Sequence, residues 1–108
     1  MKITINDIEW EIVYVPLDSD LLLRSNGTQT IGVCDNNTQI IYIGDSLRGD
    51  LLEKVLCHEI THAAMFSYGV QLTVDQEELI ADLIATYGEE IIETTNRIFS
   101  RIYKKGVA

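Results

Sequence analysis

At Asp50 the apolar residues of this chain change period, and that change most restricts what it can fold into. Before it, apolar residues alternate or cluster in short β-branched and aromatic runs. After it, they recur every three or four residues, which only a helix places on one face. Lys2 to Ile5 alternate polar and apolar, and Trp10 to Val15 carry strand-forming side chains, with Asn6-Asp7 available as a turn. These predict a first hairpin, ended by Pro16. Residues 17–28 read as a loop with one helical turn, closing in Asn26-Gly27 turn chemistry. Residues 29–34 and 38–43 predict a second hairpin around Asp35-Asn36-Asn37.

In the second half, Asp50 and Glu53 form a capping-box pattern ahead of Leu51, Leu52, Val55 and Leu56, which predicts a helix over 51–67. Gly69 stands where a left-handed terminating residue is wanted. Thr73 and Gln76 repeat the capping pattern, and an apolar stripe from Leu79 continues to Ile102 with Gly88 as a point of weakness. The expected fold is therefore α+β, a small, mostly antiparallel sheet of three to four strands packed on two C-terminal helices. With 108 residues, 46% of them hydrophobic, the chain reads as a single domain, residues 1–108.

Both histidines fall in one pentapeptide, His58-Glu59-Ile60-Thr61-His62, inside the first expected helix. Residues four apart lie one above the other, so two imidazoles can converge on one metal ion while Glu59 stands beside it. Zinc suits neutral imidazole and takes four ligands, and a hydrolytic site keeps one position for water. The ion lowers the pKa of that water from about 16 towards 7, and an adjacent carboxylate takes the proton. A third protein ligand must be a carboxylate or a thiolate, because no histidine remains. Glu78 and Asp82, at i and i+4 of the second helix, return over the first if the helices are antiparallel, with Glu77 a rival to Glu78.

His58-Glu59-Ile60-Thr61-His62 followed by Glu78-Leu79-Ile80-Ala81-Asp82 resembles the paired helical motifs of gluzincin metallopeptidases, in their minimal single-domain form, and more loosely the ImmA/IrrE-type peptidases. The resemblance covers residues 50–85. It implies a zinc-dependent peptidase in which His58, His62 and Glu78 bind the metal, Glu59 is the general base, and Asp82 orients a ligating histidine, His58. It also implies a protein or peptide substrate that adds itself as an extended strand to a sheet edge, supplied by a strand of the second hairpin. An alternative is a catalytically weak zinc-containing binding module of the same fold, closed by a fourth protein ligand such as Cys34.

The remaining features carry less. Cys57 points about 100° away from His58 and reads as a small core residue. Tyr42, Tyr68 and Tyr87 are all available as donors to a developing oxyanion, and the sequence does not choose among them. Arg97, Arg101, Lys104 and Lys105 complement the dipole at a helix C-terminus, or form a docking segment for an acidic partner or a membrane surface. A formal charge of -9 opposes nucleic-acid binding. Met1 to Asp7 lack an export signal, no run reaches the eighteen or so apolar residues of a membrane span, and two cysteines make no disulfide framework. A cytoplasmic location without membrane association is the expectation.

Overall fold

Residues 1–104 are described by a computed structural model. Strands β1 (Lys2–Ile5) and β2 (Ile8–Val15) form the first hairpin. Its two-residue turn has Asn6 and Asp7 at φ of 49° and 62°, the left-handed pair that suits the twist of a tight hairpin. The chain then makes one 3-10 turn, Asp20–Leu22, started by the Ser19 side chain accepting from the Leu21 amide. Strands β3 (Gly32–Asp35) and β4 (Ile40–Gly44) form the second hairpin, each displaced a few residues towards the C-terminus from its expected span.

The sheet is mixed, not mostly antiparallel. Its order is β1-β2-β4-β3, and β2 runs parallel to β4, with Glu11 level with Ile40 and Val15 with Gly44. Inside each hairpin the pairing is antiparallel, as the turns require. The parallel junction arises because the long connection after Pro16 lets the second hairpin dock by its later strand. That places β4 in the interior and leaves β3 at the edge.

Helix α1 (Gly49–Ser67) lies on one face of the sheet, where Trp10, Ile12, Ile41, Ile43, Leu47 and Ala63 make the core. Trp10 fixes the far end of this helix. Its indole N–H donates to Ser67 Oγ at 2.8 Å in a buried position, and its ring stacks on Phe66. Asn6 donates to the Ser67 carbonyl as well, at 2.9 Å.

The Asp50–Glu53 capping box does not form. Arg48 precedes the helix without a side-chain cap bond, and Asp50 already lies within the first turn, where its charge faces the positive end of the dipole. The other end follows expectation. Gly69 at φ 66° donates to the Phe66 carbonyl and Val70 to that of Met65, the paired bonds of a Schellman ending. The Thr73–Gln76 box is also present, each side chain accepting from the other's amide at 3.1 and 3.2 Å.

Helix α2 (Val74–Lys104) runs unbroken through Gly88. Its half-buried and buried positions are Glu77, Glu78, Ile80, Ala81, Ala85 and Gly88, and apart from Ile80 they are short or acidic, so its first half approaches α1 closely. Lys105 and the side chain of Lys104, part of the expected basic segment, lie outside the described residues. Among the described residues, no helix is long and apolar enough to cross a membrane.

Candidate metal centre

α1 presents His58 and His62 on one side, their ring centroids 4.8 Å apart. As the chain passes back along α1 from His62 to His58, their partners on α2 advance from Glu77 to Asp82, so the two helices are antiparallel. Glu78 stands between the imidazoles. One of its carboxylate oxygens is 2.9 Å from His62 Nε2 and the other 3.1 Å from His58 Nε2, while the two Nε2 atoms are 3.2 Å apart. Ligands about 2.0–2.1 Å from a tetrahedral ion lie roughly 3.3 Å from one another, so this triangle has the right size for one small cation. His58, His62 and Glu78 form a group that could hold a metal ion.

Each outer ring nitrogen is also engaged. His58 Nδ1 is 3.0 Å from Asp82 Oδ1, and His62 Nδ1 is 2.5 Å from Glu77 Oε1. A carboxylate at Nδ1 fixes the proton there and frees Nε2 as a lone-pair donor. The spacing argument places Asp82 correctly. Glu77, considered from sequence as a rival ligand, instead holds the second histidine. A stoichiometric signal for it was present: two ligating imidazoles need two outer acceptors, and Asp82 serves only one.

Glu59 is buried, 7% exposed, on the turn of α1 beside the triangle. Burial pushes its carboxyl pKa up, an effect that His58 and His62 partly counter and Glu78 reinforces. Among the described residues, no hydrogen bond or ion pair anchors the carboxylate. β3 approaches it at Gly32, where an added Cβ would come within 3.1 Å of Glu59 Oε2 and 2.8 Å of Val55 Cγ1. Glycine is thus required there by proximity rather than by a turn.

A cleft of about 510 Å³ opens over this cluster, lined by β3, by the loop after the 3-10 turn and by the start of α2. A second cavity of about 290 Å³ adjoins it on the side of Lys54 and Asp82. Glu59, His58 and Arg24 border both cavities. Arg24 has no sequence signal, since it comes from the loop; its Nη2 lies 3.9 Å from Glu78 Oε2.

Of the three tyrosines, Tyr42 lines the larger cleft, whereas Tyr68 and Tyr87 are exposed away from it. Strand alternation sets Tyr42 on the sheet face opposite Ile41 and Ile43. Cys34 faces α1 across the cleft wall but does not join the His–His–Glu group. Burial, reinforced by the charges of Glu59, Glu77 and Asp35, pushes its thiol far up and keeps it protonated. Cys57 is half-buried and stands outside the group.

No family model matches the chain, and no curated protein or solved structure is detectably similar to it.

Proposed function

We propose that this chain is a zinc-dependent peptidase of the gluzincin type. The observation that carries this reading is the double bracing of the cluster. Both histidines turn Nε2 towards Glu78, and each Nδ1 rests on its own carboxylate, Asp82 or Glu77. Two core histidines without a ligand would not need inward-facing nitrogens, nor a carboxylate placed between them.

His58, His62 and Glu78 would hold the zinc, a borderline ion suited to two nitrogens and one oxygen. Bound there, it supplies Lewis-acid polarisation of a carbonyl and lowers the pKa of a water from about 16 to about 7. Glu59 takes the proton of the attacking water and returns it to the departing amide nitrogen, a task helped by its unanchored carboxylate and raised pKa. Arg24, bordering both cavities, donates to the carbonyl oxygen as charge develops on it.

β3 supplies the substrate's seat. Of the two edge strands, β1 and β3, it is the one that borders the cleft, so an extended peptide pairs with its free side and passes over Glu59. The interior position of β4 removes strand 38–43 from that role.

Zinc-loaded protein should cleave unstructured protein substrates, with fragments read by mass spectrometry. Glu59→Gln should keep zinc and lose cleavage by at least about 100-fold. Undiminished cleavage by this variant would remove Glu59 from the mechanism.

A further inference from the structure

Two cavities, not one, lie along β3, and Gly32 marks the boundary between them. Thr30 and Ile31, before it, border the cavity of about 290 Å³, and Val33, Cys34 and Asp35, after it, border the cleft of about 510 Å³. Gly32 is also the position level with the Glu59 carboxylate. A peptide laid along the free side of β3 therefore has its reacting bond at this boundary, with one flank in each cavity. Antiparallel pairing is the more stable kind per residue. It sends the N-terminal flank of the peptide past Asp35, Cys34 and Val33, and the C-terminal flank into the smaller cavity.

That smaller cavity combines apolar walls with a cation at its rim. Leu51, 51% exposed, and Ile31, 39% exposed, leave apolar surface open within it. Of the carboxylates and basic groups that border it, three are directed elsewhere. Asp82 faces His58 Nδ1 at 3.0 Å, Arg24 reaches towards Glu78 at 3.9 Å, and Glu59 lies against Gly32. The fourth is Lys54. Asp50 stands one turn before it on α1, at the usual spacing for a partner, yet among the described residues Lys54 makes no ion pair. Cations are scarce in this chain, eight against 17 acidic residues, and four of the eight follow residue 96. Lys2 pairs with Glu9, and Arg48 donates to the carbonyls of Asp45 and Leu47. The two that remain, Arg24 and Lys54, both border this cavity.

We infer, resting on the peptidase reading above, that the smaller cavity receives the residue after the cleaved bond and that Lys54 selects a carboxylate there, carried by an acidic side chain or by the end of the substrate chain. The apolar walls take the methylenes, and the ammonium, one helical turn before His58, meets the charge at the rim. The larger cleft has the opposite character on its far side, where Asp20 and Asp35 border it, so an acidic residue is disfavoured on the N-terminal flank.

A mixture of end-blocked peptides of random sequence, cut by zinc-loaded protein and read by mass spectrometry, should show Asp and Glu enriched about fivefold directly after the cleaved bond. Lys54→Met should abolish that enrichment, and Lys54→Glu should replace it with enrichment of Lys and Arg. With unblocked peptides, cutting confined to the last bond would assign the carboxylate to the chain end, and Lys54→Met should then relax the confinement. Cleavage with no preference for a carboxylate in either mixture, or a preference that Lys54→Met leaves intact, overturns the inference while the peptidase reading stands. A protein that cuts nothing removes that reading instead, and binding then tests the cavity. Zinc-loaded Glu59→Gln should retain acidic peptides from the blocked mixture about fivefold over neutral ones, a bias lost when Lys54→Met is added. Equal retention of the two would overturn the inference.

Discussion

An imidazole that offers one nitrogen to a cation must place the other, and both histidines here place it on a carboxylate of α2. That requirement makes Glu77 as consequential as Asp82. Glu77→Gln should weaken zinc affinity 10- to 100-fold in a competitive chelator titration, since the amide neither fixes the Nδ1 proton nor strengthens Nε2 as a donor. An unchanged affinity would reduce Glu77 to a helix-start charge. Glu59 gives a prediction with a sign in pH. Burial raises its folded-state pKa, so the folded chain binds this proton more tightly than the unfolded chain does. Its contribution to stability is full below the ordinary carboxylate range and is lost as pH rises through the raised value. Urea denaturation of metal-free protein should therefore show stability falling as pH rises from about 4, where an unperturbed glutamate titrates. Glu59→Gln should flatten that slope and be the more stable chain at neutral pH. At this scale much was legible, because the HExxH and ExxxD spacings are fixed by helix geometry alone. Arg24 was not, since a loop has no period from which to infer where its side chain points.

Two hairpins and two helices follow from local patterns, and the structure contains all four. What local pattern does not carry is which strand of one hairpin docks on the other, and so the β2–β4 parallel junction and the edge position of β3 become visible only in three dimensions. The first cap of α1 fails for a related reason. Asp50 and Glu53 have the right spacing, but Gly49 at φ 60° turns the chain into the helix earlier, which puts Asp50 inside it. Element packing makes two predictions. Gly32→Ala forces a methyl against Val55 and Glu59, and overpacking of that kind costs about 1–3 kcal/mol in denaturant unfolding. Because the same methyl displaces Glu59, cleavage should fall further than the loss of stability explains. Ser67→Ala strands the buried Trp10 indole N–H and should cost about 1–3 kcal/mol while leaving zinc affinity unchanged, since that end of α1 is remote from the cluster. A small cost with altered zinc affinity would contradict this division of labour along the helix.

For the whole molecule, the acidic balance of -9 acquires a local meaning. Glu59, Glu77, Glu78 and Asp82 converge around two histidines, an arrangement that a divalent cation neutralises. A cation bound to the folded state alone stabilises it by about 2.7 kcal/mol at a free concentration one hundred times the dissociation constant. For a chain of this size that shift raises the melting temperature by about 10 °C or more. The candidate metal centre lies where α1 meets the first half of α2, and from Glu89 to Tyr103 that helix is exposed throughout. The central claim is that His58, His62 and Glu78 together hold one zinc ion. Isothermal titration calorimetry of metal-free wild type, His62→Ala and Glu78→Ala, with circular dichroism on each, tests it most directly. The account predicts one zinc per chain for the wild type and a loss of affinity of at least about 100-fold in both variants with the fold retained. No binding by the wild type, or the same affinity in all three, would contradict it.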